Sequence, residues 1–127
     1  MKELKLYRCP LCGNLFCVAE DSGVTPICCG EPMTELVANS VDAVVEKHIP
    51  VILRRDTQIE VTVGKADHPM TDAHYIKWIV LLTDMGMYMR ELLPGEGPYA
   101  DFHLQPDEEL LASYAYCNLH GLWVRPA

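Results

Sequence analysis

The chain has 127 residues, half of them hydrophobic, and a formal net charge of -8 at pH 7 from 18 acidic and 10 basic residues. This length suits one or two small domains, and the acidic balance argues against a nucleic-acid partner, because phosphates need clustered Lys and Arg. No apolar run reaches the roughly 18 residues that span a bilayer, and residues 1–6 lack the apolar stretch of a secretory signal. We therefore expect a cytoplasmic protein with no membrane partner.

Four cysteines dominate the first part of the chain, residues 1–37, where short strands are predicted at 4–7, 15–19 and 24–27. A segment below roughly 40 residues cannot bury a sufficient core without a metal, disulfides or a partner. The Cys-x-x-Cys spacing and the missing export signal favour metal thiolates over disulfides. We predict a metal domain over residues 1–37 with the ligands Cys9, Cys12, Cys28 and Cys29.

The spacing of these cysteines makes two local predictions. Cys9-Pro10-Leu11-Cys12-Gly13 is typical of a knuckle, in which Gly13 takes a positive φ and backbone N–H groups face the sulfurs. Cys28 and Cys29 are adjacent, so both bind one ion only if the chain turns there, as Gly30 permits. Four thiolates suit either iron or zinc, and the ligands alone leave that choice open. We expect the remaining cysteine of this part, Cys17, to be a small buried side chain on a strand.

Residues 40–47 follow as a linker and loop. Ser40 is a candidate helix cap, but the valines that follow it weaken any helix prediction.

Short strands then alternate with turn signals, at 51–55, 59–65, 75–84, 87–92, 99–104 and 110–116. Ile59, Val61 and Val63 alternate with polar residues, which is the pattern of a half-buried strand. About six or seven strands in this length predict an immunoglobulin-like β-sandwich. The fold class is thus mainly β, with a second domain over residues 38–127. We expect its tryptophans and the stripe of three methionines to pack in the interior, and His103 to lie on the surface; these residues are Trp78, Trp123, Met85, Met87 and Met89.

Four histidines and one cysteine of this second part stand in loop-like settings: His48, His68, His74, Cys117 and His120. Imidazole suits iron, copper, zinc and nickel, and a thiolate adds softness and electron donation. Five such donors on one ion leave a sixth octahedral position free, which is where a substrate binds.

In this order, the segments 46–50, 68–70, 74–78 and 116–123 resemble desulfoferrodoxin, the family of two-iron superoxide reductases. The resemblance implies a desulforedoxin-like Fe(Cys)4 domain followed by a catalytic β-sandwich with a ferrous centre. It implies one-electron reduction of superoxide to hydrogen peroxide there, with the four-cysteine centre as an auxiliary electron-transfer or structural site.

The resemblance also assigns roles to single residues. The four histidines become equatorial ligands of the second iron and Cys117 its axial ligand. Glu46 and Lys47 would otherwise be solvated surface charges. By resemblance, Glu46 occupies the sixth position of the ferric iron, and Lys47 attracts and helps protonate bound superoxide. A small redox donor such as rubredoxin and a homodimer are implied as well.

Two other functions remain open from the residues. A β-sandwich that ends in Cys-x-x-His is also similar to a cupredoxin-like electron carrier, although that site uses two His, one Cys and a weak axial Met. A binding module with two structural zinc ions and no turnover is the other alternative.

Overall fold

The chain folds almost entirely into short antiparallel strands. The computed structural model describes residues 3–41, 43 and 45–127, and only the backbone of Glu46. Among these residues, no helix is long and apolar enough to cross a membrane. The elements in chain order are β1 Leu6–Arg8, β2 Leu15–Cys17, β3 Ile27–Cys28, β4 Glu31–Pro32, β5 Thr34–Glu35, the helical turn α1 Val45–His48, β6 Pro50–Arg55, β7 Gln58–Val63, β8 Ile76–Thr83, β9 Gly86–Glu91, β10 Tyr99–His103, β11 Leu110–Cys117 and β12 Gly121–Pro126.

Strands β6 to β12 form the predicted sandwich. A three-stranded sheet in the order β10-β7-β6 faces a four-stranded sheet in the order β12-β11-β8-β9. The alternation in β7 places Ile59, Val61 and Val63 between the sheets, where they pack with residues such as Ile79 and Leu81 of β8. The main core therefore lies between the two sheets, as alternating strands in a sandwich require.

Strand β8 is buried on both faces. Its sequence Ile76-Lys77-Trp78-Ile79-Val80-Leu81-Leu82-Thr83 is almost continuously apolar, unlike the alternating β7. One face contributes to the core between the sheets, and the other packs Trp78, Val80 and Leu82 against Leu4 and Leu6 of the N-terminal part. The N-terminal part is thus a third layer, and it obtains hydrophobic burial from the sandwich that its own length cannot supply.

The N-terminal unit is built from a sheet in the order β2-β1-β5 and the hairpin β3-β4. A small apolar cluster of Tyr7, Cys9 and Met33 forms its interior. The backbone N–H of Leu4 donates to the hydroxyl of Tyr114 on β11 at 3.3 Å, which ties the unit to the sandwich.

The predicted strands of the sandwich are confirmed with small shifts, and the structure differs from the sequence-based expectation in three other places. The strand expected at 24–27 is shorter and later, β3 at Ile27–Cys28, and the structure adds β12 at Gly121–Pro126, for which no strand is predicted from the sequence. The hydroxyl of Ser40, the candidate cap, donates to the carbonyl of Val37 at 2.6 Å. The end of the segment predicted as linker and loop forms the helical turn α1, Val45–His48. Residues 42 and 44 of the predicted linker lie outside the described residues.

Two predictions of burial are also wrong. Met85, Met87 and Met89 are 67%, 40% and 55% exposed. Met85 lies in the turn before β9, and β9 is an edge strand beyond the faces of β8, β11 and β12 that the N-terminal layer covers. The methionine pattern correctly indicated one face of a strand, but that face points to solvent. Cys17 lies on β2 as expected, yet it is exposed. His103 is exposed and both tryptophans are buried, as predicted.

A buried carboxylate joins the loop before β11 to the hairpin β8-β9. Glu108 accepts hydrogen bonds from the hydroxyl of Thr83, from the hydroxyl of Tyr88 at 2.7 Å and from the backbone N–H of Gln105 at 3.0 Å. Burial acts to raise the pKa of Glu108, but these three donors outweigh it and hold the pKa below its ordinary value. The ionised side chain therefore stabilises the fold.

Replacing Glu108 by Ala should lower the free energy of unfolding by about 2 to 4 kcal/mol at pH 7, because three donors lose a charged acceptor. Since the folded pKa is depressed, this stabilisation is present above the unfolded pKa and is lost as pH falls through the folded value. The difference between Glu108→Ala and the parent should therefore shrink in acid. Denaturant unfolding at neutral and acidic pH checks this. The control is Glu109→Ala, an exposed neighbour; an equal loss there would contradict the assignment.

Candidate metal centres

The four cysteines of the N-terminal unit come together at one point. The sulfurs of Cys9, Cys12, Cys28 and Cys29 all lie within 4.8 Å of one another. Gly13 has φ 80°, and the backbone N–H of Cys12 donates to the sulfur of Cys9 at 3.4 Å, as the predicted knuckle requires. Cys29 and Gly30 have φ 54° and 76°, so the chain does turn after Cys28. This left-handed pair is what lets two adjacent cysteines face the same point.

The thiols of this cluster differ in acidity. A hydrogen bond from the backbone N–H of Cys12 lowers the pKa of Cys9 to about 6. Interactions with the sulfurs of Cys12, Cys9 and Cys28 raise the pKa of Cys29 to about 12. The first thiolate thus forms readily and opposes ionisation of the others. A cation removes that repulsion, so this donor set fits a tetrahedral iron or zinc ion.

The four predicted histidines form a closed ring at one end of the sandwich. Going round in the order His48, His68, His74 and His120, neighbouring ring centroids are 4.6, 4.6, 5.1 and 4.9 Å apart. The diagonal from His48 to His74 is longer, at 6.4 Å. Each neighbouring pair is nearly perpendicular, with interplanar angles between 76° and 86°. Four edges thus converge on a common centre, as an equatorial set of ligands requires.

The sulfur of Cys117 completes this donor set. Ligand atoms of His48, His74, Cys117 and His120 lie within 4.8 Å of one another. Cys117 ends the buried strand β11, and its sulfur lies 3.9 Å from Nδ1 of His120 in the turn that follows. His120 turns Nδ1 inward, whereas His48 and His68 present Nε2 to their neighbours. Because only two residues separate Cys117 from His120, the nitrogen of His120 nearer its backbone, Nδ1, is the one that faces the centre.

The nitrogen spacings fit one shared ion. His48 Nε2 lies 3.1 Å from both His68 Nε2 and His120 Nδ1. Two nitrogens that each lie about 2.1 Å from a metal, at a right angle, are about 3 Å apart. Nε2 of His74 is buried and has no hydrogen-bond partner among the described residues. A buried imidazole nitrogen without a partner is costly unless a cation or water meets its lone pair.

Protonation also favours a cation at this centre. Nδ1 of His68 lies 2.7 Å from the carbonyl of Pro69, which can only accept, so Nδ1 carries the hydrogen and Nε2 keeps its lone pair. Burial lowers the pKa of His68 to about 4, and burial also lowers the pKa of His74. Both rings are therefore neutral near pH 7. Burial raises the pKa of the Cys117 thiol, while the backbone N–H groups of His120 and Leu119 act in the opposite direction.

Two further residues touch the histidine ring or its loops, and sequence reasoning assigned neither to the site. The indole of Trp123 stacks on the ring of His48 at 4.8 Å, and its Nε1–H donates to the carbonyl of His120 at 3.1 Å. Asn118, between Cys117 and His120, bonds to the loop that carries His74. Asn118 lies inside the Cys-x-x-His motif, and Asn side chains tend to bond backbone groups. These two facts could have predicted that it anchors a neighbouring loop.

The two charged residues of the predicted site lie on α1, directly before His48. Lys47 is exposed, and its charge contributes to the lowered pKa of His74, so its ammonium lies within electrostatic reach of the ring. The side chain of Glu46 lies outside the described part of the structure. The roles of both residues stay predictions.

Comparison with known proteins supports the assignment of both centres. A family model described as desulfoferrodoxin matches residues 40–125, and one described as its N-terminal domain matches residues 1–36. The division of the chain at residues 37 and 38 stays a prediction. The desulfoferrodoxin of Syntrophotalea carbinolica is 43% identical over 122 residues, which cover 96% of this chain and 95% of that protein.

Two solved structures are also similar to this chain. A crystal structure of the superoxide reductase from Treponema pallidum has a TM-score of 0.81 and 36% identity, and covers 97% of this chain and 98% of its own. The one-iron superoxide reductase from Giardia intestinalis has a TM-score of 0.57 and 30% identity, over 65% of this chain and 97% of its own. With two family models matched along nearly the whole chain and this agreement of fold, the protein belongs to the desulfoferrodoxin family.

Proposed function

We propose that this protein is a superoxide reductase, which converts superoxide to hydrogen peroxide by adding one electron and two protons. The observation that carries the proposal is the ring of four imidazoles with the Cys117 thiol at the same centre. The cupredoxin-like alternative needs only two histidines and leaves the other two without a role. Two structural zinc ions would not need a fifth donor, because structural zinc is almost always four-coordinate.

When bound by the four histidines and Cys117, iron would supply a one-electron reductant with a free position for a small anion. Iron bound by the four cysteines would supply an auxiliary site for electron transfer. The chain's own residues prepare the catalytic centre. The Pro69 carbonyl holds the tautomer of His68, and the backbone N–H groups of Leu119 and His120 stabilise the Cys117 thiolate. Trp123 closes the side behind His48 with an apolar surface. Lys47, on the exposed side, offers positive charge to the incoming anion.

Fast kinetics with the reduced protein test the reaction itself. Superoxide should oxidise the second centre and yield one hydrogen peroxide for each superoxide consumed, without dioxygen. Dismutation would instead release one dioxygen for every two superoxide anions, and that stoichiometry would overturn the proposal.

The four-cysteine centre is proposed as auxiliary to this reaction. Every residue assigned to superoxide lies outside the N-terminal unit, and the one-iron enzyme from Giardia intestinalis matches only 65% of this chain. Cys12 and Cys29 are exposed, which suits electron exchange with a donor at the surface.

Replacing Cys12 by Ser should release or disturb the first metal and lower the thermal stability of the N-terminal unit, because one of four ligands is lost. The rate at which superoxide oxidises a pre-reduced second centre should change less than about twofold, since no ligand there is altered. Metal content, the visible spectrum and stopped-flow kinetics measure these effects. Cys17→Ser is the matched control, because Cys17 is exposed and outside both clusters. A large loss of rate at full second-site occupancy would show that the two centres depend on each other.

Lys47 is proposed to attract superoxide to a protein whose net charge is -8. Lys47→Ala should slow the bimolecular encounter about tenfold at low salt and flatten its dependence on ionic strength. Arg55→Ala removes the same charge at the far end of β6, about 17 Å from Pro50 by strand rise, beyond the screening length. Stopped-flow rates at two salt concentrations should separate the two variants. Equal rates for Lys47→Ala and Arg55→Ala would show that Lys47 has no special role in attracting superoxide.

Glu46 is proposed to cover the free ligand position of the oxidised centre. Glu46→Ala should therefore change the visible spectrum of the oxidised protein and leave the encounter rate near that of the parent. This contrast with Lys47→Ala separates a ligand from an attracting charge.

We further propose a homodimer in the cytoplasm, reduced by a small redox protein such as rubredoxin. In support of the dimer, Val24 and Ile27 are 74% and 70% exposed on a unit with little core of its own. Apolar side chains exposed to this extent favour burial against a partner. Light scattering should give twice the chain mass of 14.3 kDa, and Val24→Asp with Ile27→Asp should shift the protein toward the monomer.

A further inference from the structure

The pairing of β8 with β11 ends at one ligand of the second centre, Cys117, and does not reach His74 or His120. Strands β8 and β11 pair from Leu110 and Thr83 to Cys117 and Ile76, with a register shift between Tyr116 and Cys117. Cys117 is the last residue of β11 and Ile76 the first of β8. His74 and His120 therefore lie beyond this ladder. The pair Cys117–Gly121 of β11 and β12 closes the turn that carries His120, whereas no pair of the β8–β11 ladder includes the loop that carries His74.

Asn118 continues the connection where the ladder ends. Its side-chain oxygen accepts from the backbone N–H of Tyr75 at 3.0 Å, and its Nδ2 donates to the carbonyl of Ala73 at 3.0 Å. Its own backbone N–H donates to the carbonyl of Tyr75 at 3.2 Å. These three bonds reach the residues on both sides of His74, so a single half-buried residue brackets one ligand while it is joined covalently to another.

The loop that carries His74 is also closed by hydrogen bonds of its own, between Thr71 and His74. The backbone of Thr71 exchanges two hydrogen bonds with that of His74, at 2.9 and 3.2 Å, and the Thr71 hydroxyl contacts the same backbone groups. Without Asn118, this closed turn would keep its own shape but lose its side-chain anchor to the strand that carries Cys117 and His120. Ligand positions must hold to within about 0.5 Å for tight metal binding.

We propose that Asn118 is a positioning residue of the second centre: it sets the distance of His74 from Cys117 and His120 and thereby tunes metal affinity and the electronic structure of the bound ion. The side chain acts through its bonds to the backbone of Tyr75 and Ala73. The inference rests on the proposed function only in taking the ion to be iron. Loss of two hydrogen bonds in such an outer position typically weakens metal binding about 10- to 100-fold.

The test compares full-length Asn118→Ala with Asn39→Gly. Asn39 makes the same pair of bonds elsewhere, donating from Nδ2 to the carbonyl of Val124 at 3.3 Å and accepting from its N–H at 2.9 Å. Glycine suits its φ of 60°. Iron retention at the second centre is measured against a competing chelator, and the oxidised centre is followed by its thiolate-to-iron absorption and electron paramagnetic resonance. Neither measurement needs superoxide, so failure of the proposed reaction leaves this test intact.

Asn118→Ala should bind iron at the second centre about 10- to 100-fold more weakly and shift both spectra, while Asn39→Gly keeps the parent values. Parent-like affinity and spectra in Asn118→Ala would overturn the proposal, as would equal losses in both variants. If Asn118→Ala does not fold, the same measurements are made on Asn118→Asp. The aspartate keeps the acceptor for Tyr75 and loses the donor to Ala73, so an affinity equal to that of the parent would overturn the proposal.

Discussion

The central constraint in this molecule is the convergence of lone pairs. Three imidazoles and the Cys117 sulfur share one centre, which the ring of His68 joins beside His48 and His74, and in the N-terminal unit four sulfurs do the same. Neither arrangement is stable by itself, because lone pairs and thiolates repel one another and the buried Nε2 of His74 has no donor among the described residues. Each centre therefore requires a cation, and the protein around it must supply the energy that keeps the donors in place before the cation binds.

The sandwich meets this requirement with strand ends and short turns. Cys117 is held by a largely buried strand, and His120 follows after a turn that brings Nδ1 inward. His48 stands at the end of a single helical turn, fixed by the stacked indole of Trp123. The core between the sheets is apolar and includes Cys117 itself, so it excludes water from the Cys117 side of the ring.

Much of this arrangement was predictable because its signals are local. Spacings such as Cys-x-x-Cys and Cys-x-x-His depend on one turn, and the alternation in β7 depends on one strand. The role of Trp123 and the exposure of the methionines depend instead on which layers cover which faces. Met87 and Leu82 are opposite one another on neighbouring strands, yet only Leu82 is under the N-terminal layer. A periodic pattern indicates a face, and only tertiary structure decides what covers it.

The burial of β8 on both faces has a consequence for how such chains gain or lose domains. Trp78, Val80 and Leu82 form an apolar surface that is covered by Leu4 and Leu6. A shorter relative that consists of the sandwich alone would present this surface to water. Such a protein must therefore carry polar side chains on the outer face of that strand, or cover the face with another subunit. The polarity of the outer face of β8 thus indicates whether a sandwich of this kind folds without an N-terminal unit.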